Sequence, residues 1–312
     1  MLIRKTCVPC DKKGNEIEGA KAREYIFFEV EFNAFRDVSG STENKVVDAE
    51  KIERCECVLA LPKSYTDDGE PTQLILACHG AGSKVNQELN MVGGLTQVSR
   101  CIEEGYAALD VTGSMPHGLT LGCPEHVFAL YKAYKYAIKH FNLTPKVLLA
   151  GASMGGQTAL NFAGMFPSLV IAAGIFFPRL NIDGVEVDGH YCIGTWDKTQ
   201  KKGDGISTRD RIIDILRFPS EEWCEKNTIG ANPYKLRSYV GQDGKRVVIP
   251  PCPIKIWQGT EDQVTDPVMA KEFVESIWRS GSYAEIHLLE GVKHNVTDVM
   301  KEEQLCWFNR FV

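Results

Sequence analysis

The chain has 312 residues, 44 % of them hydrophobic and 24 % charged, enough apolar side chains to bury a large core in one domain with insertions. Acidic residues (41) outnumber basic ones (35), for a formal net charge of −6 at pH 7, which excludes the basic face of a nucleic-acid binder. No run approaches the apolar length of a transmembrane helix, and the first residues lack the apolar core of a signal peptide, so a cytoplasmic protein without membrane attachment is expected.

Residues 24–36 and 53–62, rich in aromatics and alternation, read as antiparallel strands, and the polar stretch 37–51 between them as a loop. Residues 73–78 form a short apolar strand ending in His79-Gly80-Ala81-Gly82. A helix over 95–104 and a strand over 106–111 follow. Val127, Leu130, Tyr131, Tyr134, Ile138 and Phe141 recur at helical spacing, with Pro124 at the start and Asn142 as the stop. The apolar run 147–150 leads into Gly151-Ala152-Ser153-Met154-Gly155, then a helix over 156–166 and a buried strand over 170–177. Near the end come a strand at 254–258, a helix at 267–280, a strand at 284–289 and an amphipathic helix at 298–311. Short apolar strands alternating with helices predict a mainly parallel sheet with helices on both faces.

The interval 179–253 breaks this rhythm and reads as a cap or lid insertion. It holds a predicted hairpin over 185–192 around Asp188-Gly189 and a helix near 209–217. The 11 cysteines are an odd count and scattered, which fits reduced thiols better than a disulfide framework. Cys55 and Cys57 share a strand face with Leu59 and Leu61, as small core residues do. Cys7 and Cys10 have the spacing of half a zinc knuckle, but no second pair answers them, so no metal is expected. Neither a dinucleotide fingerprint nor a phosphate loop is present, and no cofactor is expected.

The pentapeptide around Ser153 carries the chemistry. Glycines two positions either side of a serine allow a sharp strand-to-helix turn that holds the hydroxyl clear of the sheet. A serine hydroxyl needs a base to take its proton and an acid to orient that base. Asp262 follows the strand at 254–258, in Gly259-Thr260-Glu261-Asp262, and His294 follows the strand at 284–289, just before the last helix. Both therefore belong to the carboxyl edge of the sheet, where ligands bind in doubly wound folds. Glu261 and Asp266 flank Asp262 and read as solvated loop carboxylates. His287, inside a strand, reads as structural, and His79 as a support for its own loop.

The order Ser…Asp…His, with GASMGG, CHGAG, GTEDQV and EGVKH each after its own strand, resembles the α/β-hydrolase fold over roughly residues 53–312. Residues 1–52 then form N-terminal strands and a loop ahead of the catalytic domain. Within that superfamily NPYKL, PIKIWQGTEDQV and EGVKH are similar to prolyl-oligopeptidase-like hydrolases and small carbohydrate esterases. The resemblance implies Ser153 as nucleophile, His294 as general base and then acid, and Asp262 as the orienting carboxylate. An oxyanion forming on the substrate needs backbone N–H donors. Met154, after the nucleophile, supplies one, and the family pattern places the other at Ala81, with Gly82 as the alternative. The implied activity is a serine carboxylesterase forming an acyl-enzyme, of the acetyl or feruloyl carbohydrate type. A peptidase and an inactive hydrolase-fold binding module are the other readings. The substrate is expected to be a small-molecule or carbohydrate ester, with Trp196, Trp223, Tyr191 and Tyr239 of the insertion offering apolar or sugar-stacking surface.

Overall fold

A computed structural model describes residues 3–6, 9–10, 15–16, 22–37, 45–112, 122, 124–181, 185–192 and 238–312. The first strands are β1 (Ile3–Lys5), β2 (Glu24–Asp37), β3 (Lys45–Leu61) and β4 (Thr72–Cys78). A two-strand ribbon, β5 (Val85–Asn86) and β6 (Met91–Val92), leads into a 3-10 turn (Gly93–Val98) and α1 (Ser99–Glu103). Then come β7 (Ala107–Val111), α2 (Pro124–His140), β8 (Leu143–Ala152), α3 (Met154–Met165) and β9 (Val170–Phe176). Two small hairpins pair β10 (Val185–Val187) with β11 (His190–Cys192), and β12 (Ser238–Val240) with β13 (Arg246–Val248). The chain closes with β14 (Ile254–Gly259), α4 (Pro267–Trp278), β15 (Ala284–Leu289) and α5 (Asp298–Phe308).

Nine strands form one sheet in the order β1-β2-β3-β7-β4-β8-β9-β14-β15. The pairs from β1 to β7 are antiparallel. Those from β7 to β15 are parallel. Residues of the central strands are apolar almost without interruption, and every residue of β7 is buried. This is the signature of parallel strands covered on both faces.

Side-chain alternation separates two cores, one on each face of the sheet. Ile26, Phe28, Cys55, Cys57, Leu59 and Leu61 pack with Val127 of α2, Phe162 of α3 and Phe273 of α4. Tyr25, Phe27, Val58 and Ala60 pack on the other face with Ile102 of α1 and Trp307 and Phe308 of α5. Helix α5 is fastened by polar contacts as well. Gln304 Nε2 donates to the Gly174 carbonyl at 2.8 Å and Trp307 Nε1 to that of Ala173 at 3.1 Å.

The expected elements are present in the described regions, with two differences. Residues 45–51 were expected in a loop but open β3, where Val46 and Val47 pair with Arg36 and Phe35 beyond a bulge at Asn33 and Phe35. Ladder pairing of β-branched residues outweighs the polar composition of that stretch. The expected helix 95–104 is a 3-10 turn and a short α-helix, because the buried Asp110 carboxylate accepts the Gly94 N–H at 2.7 Å and fixes the turn. The helix near 209–217, Trp196, Trp223 and Cys7 lie outside the described residues. Among those described, no helix is long and apolar enough to cross a membrane.

Candidate active site

Ser153 sits between β8 and α3 with φ 56° and ψ −120°. A non-glycine residue held there costs about 1–3 kcal/mol and needs surroundings that enforce it. Its own peptide groups supply the restraint. The Ser153 N–H donates to Phe176 O at 3.0 Å, and Ser153 O accepts from Arg179 N at 3.0 Å and Gln157 N at 3.3 Å. Neighbouring glycines make room. A methyl group on Gly155 would lie 2.0 Å from Cys78 O, and one on Gly151 would lie 2.4 Å from Gly155 O. Helix α3 can therefore press against the ends of β4 and β8. Its residues from Met154 to Ala163 are buried, while Ser153 itself is half-buried. The turn lifts only the serine.

Asp262 and His294 come from the loops after β14 and β15, which pair in parallel up to Gly259 and Leu289. Beyond the strands the backbones stay laced, with Glu261 N donating to Val292 O at 3.0 Å and Thr260 N to Leu289 O at 3.0 Å. This brings His294 Nδ1 to 2.8 Å from Asp262 Oδ2. The Asp262 side chain is inaccessible to solvent and that of His294 is 22 % exposed. Asp262 Oδ1 accepts from Val264 N at 2.8 Å and Thr265 N at 3.0 Å. Oδ2 accepts from Thr265 Oγ1 at 3.0 Å and Gln258 Nε2 at 3.1 Å. Burial pushes this carboxyl up, but the hydrogen bonds from His294, Thr265 and Val264 outweigh it and hold the pKa below its ordinary value. An ionised carboxylate facing Nδ1 sets the proton on that nitrogen and leaves Nε2 as an acceptor. Phe177, itself at φ 33°, lays its ring 4.5 Å from the His294 ring.

The loop after β4 reaches the same place. A methyl group on Gly80 would lie 3.8 Å from Ser153 Cβ. Ser83 N donates to Gly80 O at 3.1 Å, and Gly82, at φ 86°, occupies the left-handed position of that turn. Ala81 is exposed at its first corner. Met154 opens α3, whose first N–H groups have no acceptor within the helix. His79 is buried below this loop, its Nδ1 2.9 Å from Asp110 Oδ2. As expected, it supports the loop. Asp110 was missed in the sequence although its signal was there, a lone carboxylate within the apolar stretch Ala107–Val111.

Of the flanking groups, Glu261 is exposed, but Asp266 is not a free loop carboxylate. It caps α4 by accepting from Val268 N at 2.9 Å and meets His190 Nε2 at 2.9 Å. Cys192 joins these two, their donor atoms all lying within 4.8 Å of one another, which is the group among the described residues that could hold a metal ion. His287 pairs with Glu303 at 2.8 Å, away from Asp262. Tyr191 and Tyr239 are exposed on the two hairpins. Gln258, Thr265, Phe177 and Arg179 complete the surroundings of the Asp262–His294 pair. Gln258 and Thr265 were within reach of sequence reading, since they bracket the aspartate at the strand end and at the turn.

No family model and no curated protein matches the sequence. Solved structures match in fold. A puromycin-hydrolyzing peptidase of Mycobacterium tuberculosis superposes with a TM-score of 0.59 at 14 % identity, over 89 % of this chain and 39 % of that one. Dipeptidyl peptidase 4 of Porphyromonas gingivalis gives 0.59 at 11 % identity, over 90 % and 36 %. Thermophilic esterase Est2 of Thermogutta terrifontis gives 0.53 at 15 % identity, over 89 % of this chain and 91 % of its own. The chain thus spans about 39 % of the first peptidase's length. With this sheet order, the strand-to-helix elbow and these likenesses, the chain has the α/β-hydrolase fold.

Proposed function

We propose that this chain is a serine hydrolase of carboxylic esters, with Ser153 as nucleophile, His294 as general base and Asp262 as the carboxylate that orients it. The observation that carries this reading is the 2.8 Å bond between a buried, ionised Asp262 and His294 Nδ1, on the sheet edge that also bears the strained Ser153. In the proposed reaction His294 Nε2 takes the proton from Ser153 Oγ as the oxygen attacks the ester carbonyl. Backbone N–H groups of Met154 and Ala81 receive the developing oxyanion. The alcohol leaves with the proton from His294, and water then cleaves the acyl-enzyme by the same steps in reverse roles.

An ester substrate is supported by the fold likeness to the Thermogutta terrifontis esterase. The same esterase has been captured with propionate bound, which supports a short acyl group such as acetyl. Exposed Tyr191 and Tyr239 support a sugar-bearing alcohol and a specificity-setting cap over 179–253. The free thiols of Cys55, Cys57, Cys78, Cys101, Cys192, Cys252 and Cys306 support a reducing compartment. The peptidase reading rests on the fold likeness to the two peptidases.

A fluorophosphonate probe read by peptide mass spectrometry tests the assignment, with Ser153 as the labelled residue. Ser153→Ala should abolish labelling and lower kcat by about a million-fold on p-nitrophenyl acetate. Labelling elsewhere on active protein would overturn the nucleophile assignment. Faster turnover of aminoacyl anilides than of aryl and acetylated-sugar esters would overturn the ester reading.

A further inference from the structure

Strand β9 is followed by Phe177-Pro178-Arg179, and each of these residues is tied to the site. Phe177 packs on His294. Pro178 lies under the first turn of α3, where a methyl group on Gly156 would meet its Cβ at 2.8 Å. Arg179 donates its backbone N–H to the carbonyl of Ser153 itself at 3.0 Å. Its side chain therefore starts one hydrogen bond away from the proposed nucleophile.

The guanidinium of Arg179 is unusual in this molecule. The other arginines whose side chains are described all donate to an oxygen, as Arg279 does to Glu272 and Arg310 to Glu285, both at 2.8 Å. The side chain of Arg179, a half-buried residue, has no hydrogen bond or ion pair among the described residues. Burial brings its pKa down to about 10, with the Asp262 charge acting the other way. It stays protonated at neutral pH, and the carboxylate that it feels is already engaged by His294, Thr265, Gln258 and Val264. A guanidinium half withdrawn from water without a partner is costly, and its planar fork matches the geometry of a carboxylate or a phosphate, of which the carboxylate is the anion that half-esters and uronic acids carry.

We propose that Arg179 is an anion-recognition residue of this site and that the preferred ester carries a carboxylate on the part of the substrate lying beside Ser153. This rests on the ester-hydrolase reading above and narrows its substrate class. The carboxylate is borne by the acyl group, as in half-esters of dicarboxylic acids, or by the alcohol, as in acetylated uronic acids. The chemistry recognised is the same in both.

The test compares wild type with Arg179→Met and Arg179→Lys on two paired sets of substrates. One set is p-nitrophenyl half-esters of malonate to adipate against the corresponding neutral methyl esters. The other is acetylated glucuronic acid against its methyl ester. Wild type should prefer the anionic member in one set, identifying which group carries the charge. Arg179→Met should lower the anionic-to-neutral ratio of kcat/KM by about 10- to 100-fold, as loss of a charged hydrogen bond does, with partial recovery in Arg179→Lys. A second measurement avoids both turnover and any change at Arg179. Calorimetry on Ser153→Ala protein should show monomethyl glutarate binding more tightly than dimethyl glutarate. No anionic preference in wild type, or equal losses on both members of each pair, overturns the proposal. Failure of Ser153 to label while the glutarate preference persists would instead overturn the hydrolase reading and leave the anion site standing.

Discussion

Asp262→Asn isolates the proposed orienting carboxylate with the least change in shape. The aspartate receives N–H or O–H donors on both oxygens: Val264 N and Thr265 N on Oδ1, and His294 Nδ1, Thr265 Oγ1 and Gln258 Nε2 on Oδ2. An asparagine must present its NH2 to one of these sets. Toward Oδ1's partners it would oppose two backbone N–H groups that cannot rotate away. It therefore turns its NH2 toward His294, where the Thr265 hydroxyl can swing aside and Gln258 keeps the Thr265 carbonyl at 3.1 Å. Nδ1 then becomes the acceptor and Nε2 carries the proton, so the imidazole cannot take the one from Ser153. Loss of the correct tautomer costs about ten-thousand-fold in kcat, or about 5.4 kcal/mol at 1.36 kcal/mol per tenfold. Stability should suffer far less, about 1–3 kcal/mol for one poorly paired buried donor. The assay is kcat on p-nitrophenyl acetate beside a thermal melt of the same protein. Activity within tenfold of wild type in a folded Asp262→Asn protein would refute the reasoning. So would a Glu261→Gln variant that loses as much.

Two further predictions concern the framework. Gly155→Ala places a methyl group 2.0 Å from Cys78 O, so it should lower the urea midpoint by the equivalent of about 1–3 kcal/mol or more; an unchanged midpoint would mean that α3 does not press on β4. His126 is buried with its pKa lowered to about 3, by burial and then by the neighbouring His79, so below pH 6.5 the unfolded chain binds the extra proton and stability is lost as pH falls from about 6.5 toward 3. Between pH 7 and 5 this group alone removes about 2 kcal/mol. A His126→Phe protein should lack that part of the decline in urea titrations at the two pH values, and an equal decline would show that His126 is not buried neutral.

How much of this was legible in sequence depends on the range of the interaction that decides each feature. The central strands announced themselves because residues such as Leu74–Leu76 and Leu148–Ala150 are apolar whichever face they occupy. Ser153, Asp262 and His294 were legible as candidates because each follows a strand, and parallel strands deliver the loops at their carboxyl ends to one edge. The opening of β3 was not, since Val46 and Val47 sit in a polar stretch and gain strand character only by pairing with β2. Arg179 was hidden for a related reason. In sequence it is one charged residue at the start of a charged insertion, and only the hydrogen bond to Ser153 O distinguishes it from a solvated surface group.

The strained serine explains why so many unrelated contacts converge on one turn. About 1–3 kcal/mol of backbone strain at Ser153 persists only if every relaxed alternative costs more. Phe176 O, Gln157 N and Arg179 N hold both of its peptide groups, and the close contact between Gly155 and Cys78 O holds the helix that follows. Cys78 leads in turn to His79, anchored through Asp110, which also fixes Gly94. The conformation of Ser153, the proposed nucleophile, is thus determined by β4, β7 and β9 as well as by its own turn. Residues far from Ser153 in sequence, Asp110 above all, therefore act on the site through the backbone that they hold, and a glycine-rich pentapeptide alone would not reproduce it.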